Sequence, residues 1–78
     1  MLIFFLKEKI VINADHIVSI KYFKGGDKGG DFKPCLQFLL TGGGFKSVDI
    51  LFDTESKAMG TLWLIAEEFD RQTKVLLI

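Results

Sequence analysis

The sequence predicts an α+β domain: an antiparallel β-meander of four to five strands, curved or partly closed in a barrel-like way, followed by one C-terminal amphipathic helix. Three observations predict it. Apolar and polar residues alternate over residues 16–23 and 35–52, the period of a half-buried strand. Glycine clusters within 25–30 and at 42–44 separate those runs, as hairpin loops do. Residues 54–70 then carry apolar side chains at helical spacing, so the helix follows the strands instead of alternating with them.

Leu2-Ile3-Phe4-Phe5-Leu6 is an unbroken apolar run, and Ile10-Val11-Ile12 resumes after the charged triplet Lys7-Glu8-Lys9. Two such runs with a short polar spacer predict a hairpin. A strand apolar on both sides must be covered on both sides. Here the second cover is expected from another chain or from closure of the sheet. Asn13-Ala14-Asp15 is a turn, because Asn and Asp side chains bond to nearby backbone.

His16 to Phe23 reads as a strand with Val18, Ile20 and Tyr22 on one face and Ser19 and Lys21 on the other. Residues 24–33 contain Lys-Gly-Gly-Asp twice and are expected to form a mobile loop without core contribution. Pro34 opens the next strand, where its missing N–H is tolerated. Leu36, Phe38 and Leu40 then share a face, as do Val48, Ile50 and Phe52 across the Gly42-Gly43-Gly44 turn.

Asp53 or Thr54 can cap the helix, and Glu55 suits its positive N-terminal end. At 100° per residue, Ala58, Met59, Leu62, Trp63, Ile65, Ala66 and Phe69 fall on one arc of roughly 160°, which predicts the face packed on the sheet. Leu64 falls outside that arc, either exposed or in a contact. Gly60 costs the helix about 1 kcal/mol relative to Ala. Lys74 to Ile78 is an apolar tail, expected to pair as an edge strand in its own sheet or in a neighbour's.

Seventy-eight residues make one domain, residues 1–78, which buries only about 60–65% of its unfolded surface. Such chains usually need a disulfide, a metal or a partner. Cys35 is the only cysteine and His16 the only histidine, which excludes an internal disulfide and the usual Cys/His zinc clusters. With 49% hydrophobic residues in so small an interior, a partner is expected. Ten basic and ten acidic residues cancel, so no general attraction to nucleic acid or anionic membranes follows. No apolar run nears the roughly 20 residues that span a bilayer. The cytoplasm is the expected location, with which a lone reduced thiol agrees.

Candidate chemistry is sparse. Asp15-His16 is the one acid–imidazole pair, but neighbours on a strand point to opposite faces and no nucleophile is placed beside it. Cys35 has Lys33 nearby but no helix N-terminus or imidazole to stabilise a thiolate. The glycine-rich repeat lacks the Gly-Lys-Ser/Thr ending of a phosphate loop and the spaced oxygen ligands of a calcium loop. An enzyme built on Asp15, His16 and Cys35 is the weakest expectation, and no cofactor or metal is called for. Lys21, Tyr22, Lys24, Lys28 and Phe32 combine cations with aromatic faces, as single-strand nucleic-acid binders do. They define the alternative reading, a nucleic-acid or small-ligand module, against which Asp27 and Asp31 cancel half the charge.

The run Asn13-Ala14-Asp15-His16-Ile17-Val18-Ser19-Ile20, with Leu40-Thr41 before the glycines, Val48, and Glu55-Ser56 opening the helix, resembles the small bacterial FlbD-type proteins. The likeness covers residues 10–70 in outline and about a dozen positions in detail. The Lys-Gly-Gly-Asp loop, the helix around Trp63 and the apolar tail depart from it. The resemblance implies a cytoplasmic, non-enzymatic accessory protein associated with flagella or motility, and it supplies no catalytic residues. The primary expectation is therefore a non-enzymatic interaction or oligomerisation module, a homodimer or higher oligomer. Its expected contacts are Phe4, Trp63, Leu64, Leu76 and Ile78.

Overall fold

The computed structural model describes residues 1–25, 33–42 and 46–78. Among these residues the chain forms six strands and one long helix, in the order β1 (Leu2–Phe5), β2 (Ile10–Asn13), β3 (Ile17–Phe23), β4 (Cys35–Leu40), β5 (Lys46–Leu51), α1 (Glu55–Asp70) and β6 (Val75–Leu77). The α+β class and the helix after the meander are as expected. The strands number six instead of four or five, and they divide into two open sheets, β2–β1–β6 and β3–β4–β5, with no closed barrel.

The division has a local cause. Between β2 and β3 the chain makes one 3₁₀ turn, Ala14–His16, whose first N–H groups are capped by Asn13: its side-chain oxygen accepts from the Asp15 N–H at 3.0 Å. Ala14 is buried in that turn, and β3 leaves to pair with β4 instead of with β2. The first hairpin closes through Leu6 to Lys9, where Lys9 adopts φ +58°. Four-residue loops of this kind commonly join two strands.

The last strand arrives from the far end of the sequence. α1 begins at Thr54, whose hydroxyl accepts from the Lys57 N–H at 3.1 Å. It ends in a Schellman turn: Gln72 lies at φ +61°, its N–H bonds to the Phe69 carbonyl, and the Thr73 N–H bonds to the Glu68 carbonyl, both at 3.0 Å. The Glu68 carboxylate also accepts from the Thr73 hydroxyl and from Arg71. This reversal sends Val75–Leu77 alongside β1 as its parallel neighbour.

The inner faces of both sheets and one side of α1 share a single core. Ile3, Phe5, Ile12 and Leu76 come from one sheet, Leu36, Phe38 and Ile50 from the other, and Ile65 from the helix. Phe5 and Phe38 meet edge to face at 5.6 Å between ring centroids, a favoured aromatic geometry. The β4–β5 hairpin has the expected parity, with Leu36, Phe38 and Ile50 buried and Asp49 exposed.

Two expectations about facing fail. The β3–β4 register shifts between Ile17 and Ser19, a bulge that inserts one residue and turns Val18 outward, 53% exposed. Ile17, Ile20 and Tyr22 then face inward. In α1 the side packed on the sheets runs through Ala58, Leu62 and Ile65, at one margin of the apolar arc. Trp63 (65%), Phe69 (54%) and Ala66 are exposed. The helix is turned so that small Ala58 and branched Ile65 seat over the sheets, and Glu68 on the other flank is drawn in by its bonds to the C-terminal turn.

Candidate interaction surface

In a strand, alternate side chains leave opposite faces, so the register of the β2–β1–β6 sheet states what its outer face carries. Ile3 lies between Ile12 and Leu76 on the inner face. Phe4 lies between Val11 and Leu77 on the outer face, and Leu2 lies between Asn13 and Val75. All six outer positions are uncharged and five are apolar. Leu2, Val11, Val75 and Leu77 are exposed, and Leu6 continues the patch beyond β1. Phe4 is half-buried between them. At its Leu2–Asn13 end the face borders a cavity of about 610 Å³ shared with Phe69, Asp70 and Gln72.

The outer face of the β3–β4–β5 sheet is different. Its rows are Ser19–Leu39–Ser47, Lys21–Gln37–Asp49 and Phe23–Cys35–Leu51. A polar row thus crosses its middle, and the apolar residues stand apart at its ends. Burial raises the Cys35 thiol pKa, the Asp49 carboxylate raises it further, and a backbone hydrogen bond from Ile50 opposes both. A thiol held protonated is a poor nucleophile. His16 and Cys35 sit at opposite ends of the β3–β4 pair, about 20 Å apart at 3.3 Å per residue, since Ile17 faces Leu40 and Phe23 faces Cys35. Asp15, His16 and Cys35 are therefore not brought together. Among the described residues no cluster of three or more His, Cys, Asp or Glu side chains is placed to hold a metal.

The expected contact residues separate. Phe4 stands at the centre of the apolar outer face. Leu76 points into the core at 9% exposure, and the tail residues on the surface are its neighbours Val75 and Leu77. Leu64 and the half-buried Ile78 line a different feature, a cleft of about 370 Å³ that also includes Gly60, Lys7, Glu8, Asp53 and Lys57. Asp53 there pairs with Lys33 at 3.3 Å and Lys57 at 3.9 Å. The Lys33 hydrogen bond, then the charges of Lys33, Lys7 and Lys57, hold its carboxyl below the usual range. Trp63 joins neither surface. Phe69 and Ala66 instead flank an apolar groove of about 230 Å³ between α1 and the start of β3, with Ile17, Ile20 and Leu62.

Of the cation–aromatic set, the described members Lys21, Tyr22 and Lys24 do not all share a face. Lys21 and Tyr22 are successive on β3 and face opposite ways, Lys21 outward and Tyr22 toward the core. Lys24 is exposed just beyond the strand, and Lys28 and Phe32 lie outside the described residues. The aromatic ring sharing a face with Lys21 is Phe23, which strand parity alone would have found. The outer-face residues Leu2, Val11, Val75 and Leu77 were missed because every position in their runs is apolar, so alternation carried no signal.

Among the described residues no helix is long and apolar enough to cross a membrane. Compared with protein-family models, with curated proteins and with solved structures, the chain finds no match.

Proposed function

We propose that this protein is a non-enzymatic, cytoplasmic interaction module that works by self-association, with the outer face of the β2–β1–β6 sheet as its contact surface. One observation carries the reading: Leu2, Phe4, Val11, Val75 and Leu77 form an apolar face across all three strands, with no charged side chain in it. Contiguous exposed apolar surface of this kind marks interaction sites. A uniformly apolar face also complements itself without matched charges, which is what a two-fold contact between identical chains requires. The resemblance to FlbD-type proteins extends the proposal to an accessory role in bacterial motility.

Sedimentation at micromolar concentration tests the reading. The wild-type chain is expected to sediment well above its 8.8 kDa protomer mass. Leu77→Lys, which puts a charge on the face beside Phe4 and leaves the core untouched, is expected to lower the mass of the assembly. A wild-type protein that stays monomeric throughout that range overturns the proposal.

A further inference from the structure

The apolar face is small for the task. Three strands about 4.8 Å apart, spanning at most four residues each at about 3.3 Å, cover no more than roughly 190 Å². Stable complexes bury about 800 Å² per partner. A second contact is needed, and the edges of the same sheet differ from those of its neighbour in a way that supplies one.

Edge strands leave backbone N–H and C=O groups unpaired, and charges, bulges or shortness normally guard them against pairing with another chain. In the β3–β4–β5 sheet both edges are guarded: β3 by its bulge at Val18 and by Lys21, β5 by Lys46 and Asp49. β6 is only three residues long. β2, Ile-Val-Ile-Asn, has no charge, no proline and no bulge.

The hydrogen-bond phase shows which of its groups are open. The Ala14 N–H bonds to the Met1 carbonyl, so in the antiparallel register residues 14, 12 and 10 bond to β1 and residues 13 and 11 point away. Leu2 and Phe4 accordingly bond on their other side, to Lys74 and Ile78 around β6. The N–H and C=O of Val11 and the N–H of Asn13 therefore face outward, while the Asn13 carbonyl already accepts within the 3₁₀ turn.

We propose that a second copy of this chain adds to this edge, β2 against β2 in antiparallel orientation about a two-fold axis beside Val11. The inference rests on the self-association proposed above and names its seam. The joined dimer is one six-stranded sheet whose two apolar outer faces lie on the same side. Side by side they give a footprint of roughly 380 Å², and face-to-face packing of two dimers adds to the seam to make a tetramer.

Val11→Pro removes one outward donor and no bond to β1, and Val11→Ala controls for the lost side chain. Sedimentation of Val11→Pro is expected to show association weakened at least tenfold relative to Val11→Ala, whereas Leu77→Lys stops at the dimer. Hydrogen exchange on the wild-type chain gives a second readout, independent of how Val11→Pro folds: the Val11 and Asn13 amides are expected to slow as concentration rises. Equal association of Val11→Pro and Val11→Ala, or fast exchange of both amides in the assembled protein, overturns the seam while leaving the face intact. If Leu77→Lys leaves the mass unchanged and the seam variants reduce it, the face fails and the seam stands.

Discussion

The two sheets have three strands each and contribute similar inner faces, yet their outer faces and edges are opposites. The β3–β4–β5 sheet ends in water: Lys21, Gln37 and Asp49 cross its outside, and charges or a bulge blunt both edges. The β2–β1–β6 sheet is apolar on its outside and bare along β2. An inner face reports what the fold needs, whereas an outer face is free to be polar and is apolar only at a cost in exposed surface. That difference is the ground for placing the proposed contact on the β2–β1–β6 half of the molecule.

The largest expected effects test the likeness of the inner faces. Phe5→Ala and Phe38→Ala should each destabilise the protein by about 3–5 kcal/mol in urea unfolding. Because the rings touch, the double variant should cost less than the sum. Additive losses would mean that the sheets do not share one core. Next comes the contrast across a single strand. Leu76→Ala, facing inward, should cost about 2–4 kcal/mol. Leu77→Ala should stay within about 0.5 kcal/mol when measured on the dilute protomer, and comparable losses at both positions would refute the outer-face assignment.

Smaller changes act on the helix that ties the sheets together. Gly60→Ala should stabilise by about 1 kcal/mol, since a Cβ there meets nothing within 4 Å. Gln72→Gly should stabilise by roughly 0.5–1 kcal/mol, because it relieves a left-handed residue at the helix end. The smallest effect is electrostatic. Asp53 is more acidic folded than unfolded, so its contribution is present above the ordinary carboxylate pKa of about 3.9 and is lost as pH falls through the lower folded value. Asp53→Asn should flatten that part of an acid unfolding curve slightly, and added salt should do the same.

Much of this architecture is legible in the sequence, and what is not has particular causes. The β4–β5 hairpin and the helix bounds follow from alternation and from a capping Thr54. The facing of Val18 does not, since one bulged residue inverts parity and leaves no mark in composition. The rotation of α1 is set by the space above the sheets, so Trp63 falls outside while sharing an apolar arc with Ile65, and Phe69, in the last turn of the helix, is exposed although it lies on the packed side. In Leu2–Leu6 and Val75–Ile78 every residue is apolar, and only the partner strand decides which go in. That is why Leu76 and Leu77 could not be told apart, and why the candidate surface was legible as an excess of apolar residues but not as a place.

The pairing of β1 with β6 has a consequence for how the chain acquires its structure. Leu2 lies opposite Val75, so this ladder closes a loop of almost the entire polypeptide, whereas β4 and β5 meet across a short turn. Long closures cost more entropy and slow the search. The hairpins and helix should therefore consolidate first in stopped-flow refolding, with β6 docking last. Until it docks, one side of β1 stands open, and a crowded refolding mixture gives other molecules time to occupy it. Yield should accordingly fall with protein concentration more steeply for Leu76→Ala, whose final step is weakened, than for variants of the β4–β5 hairpin with equal stability.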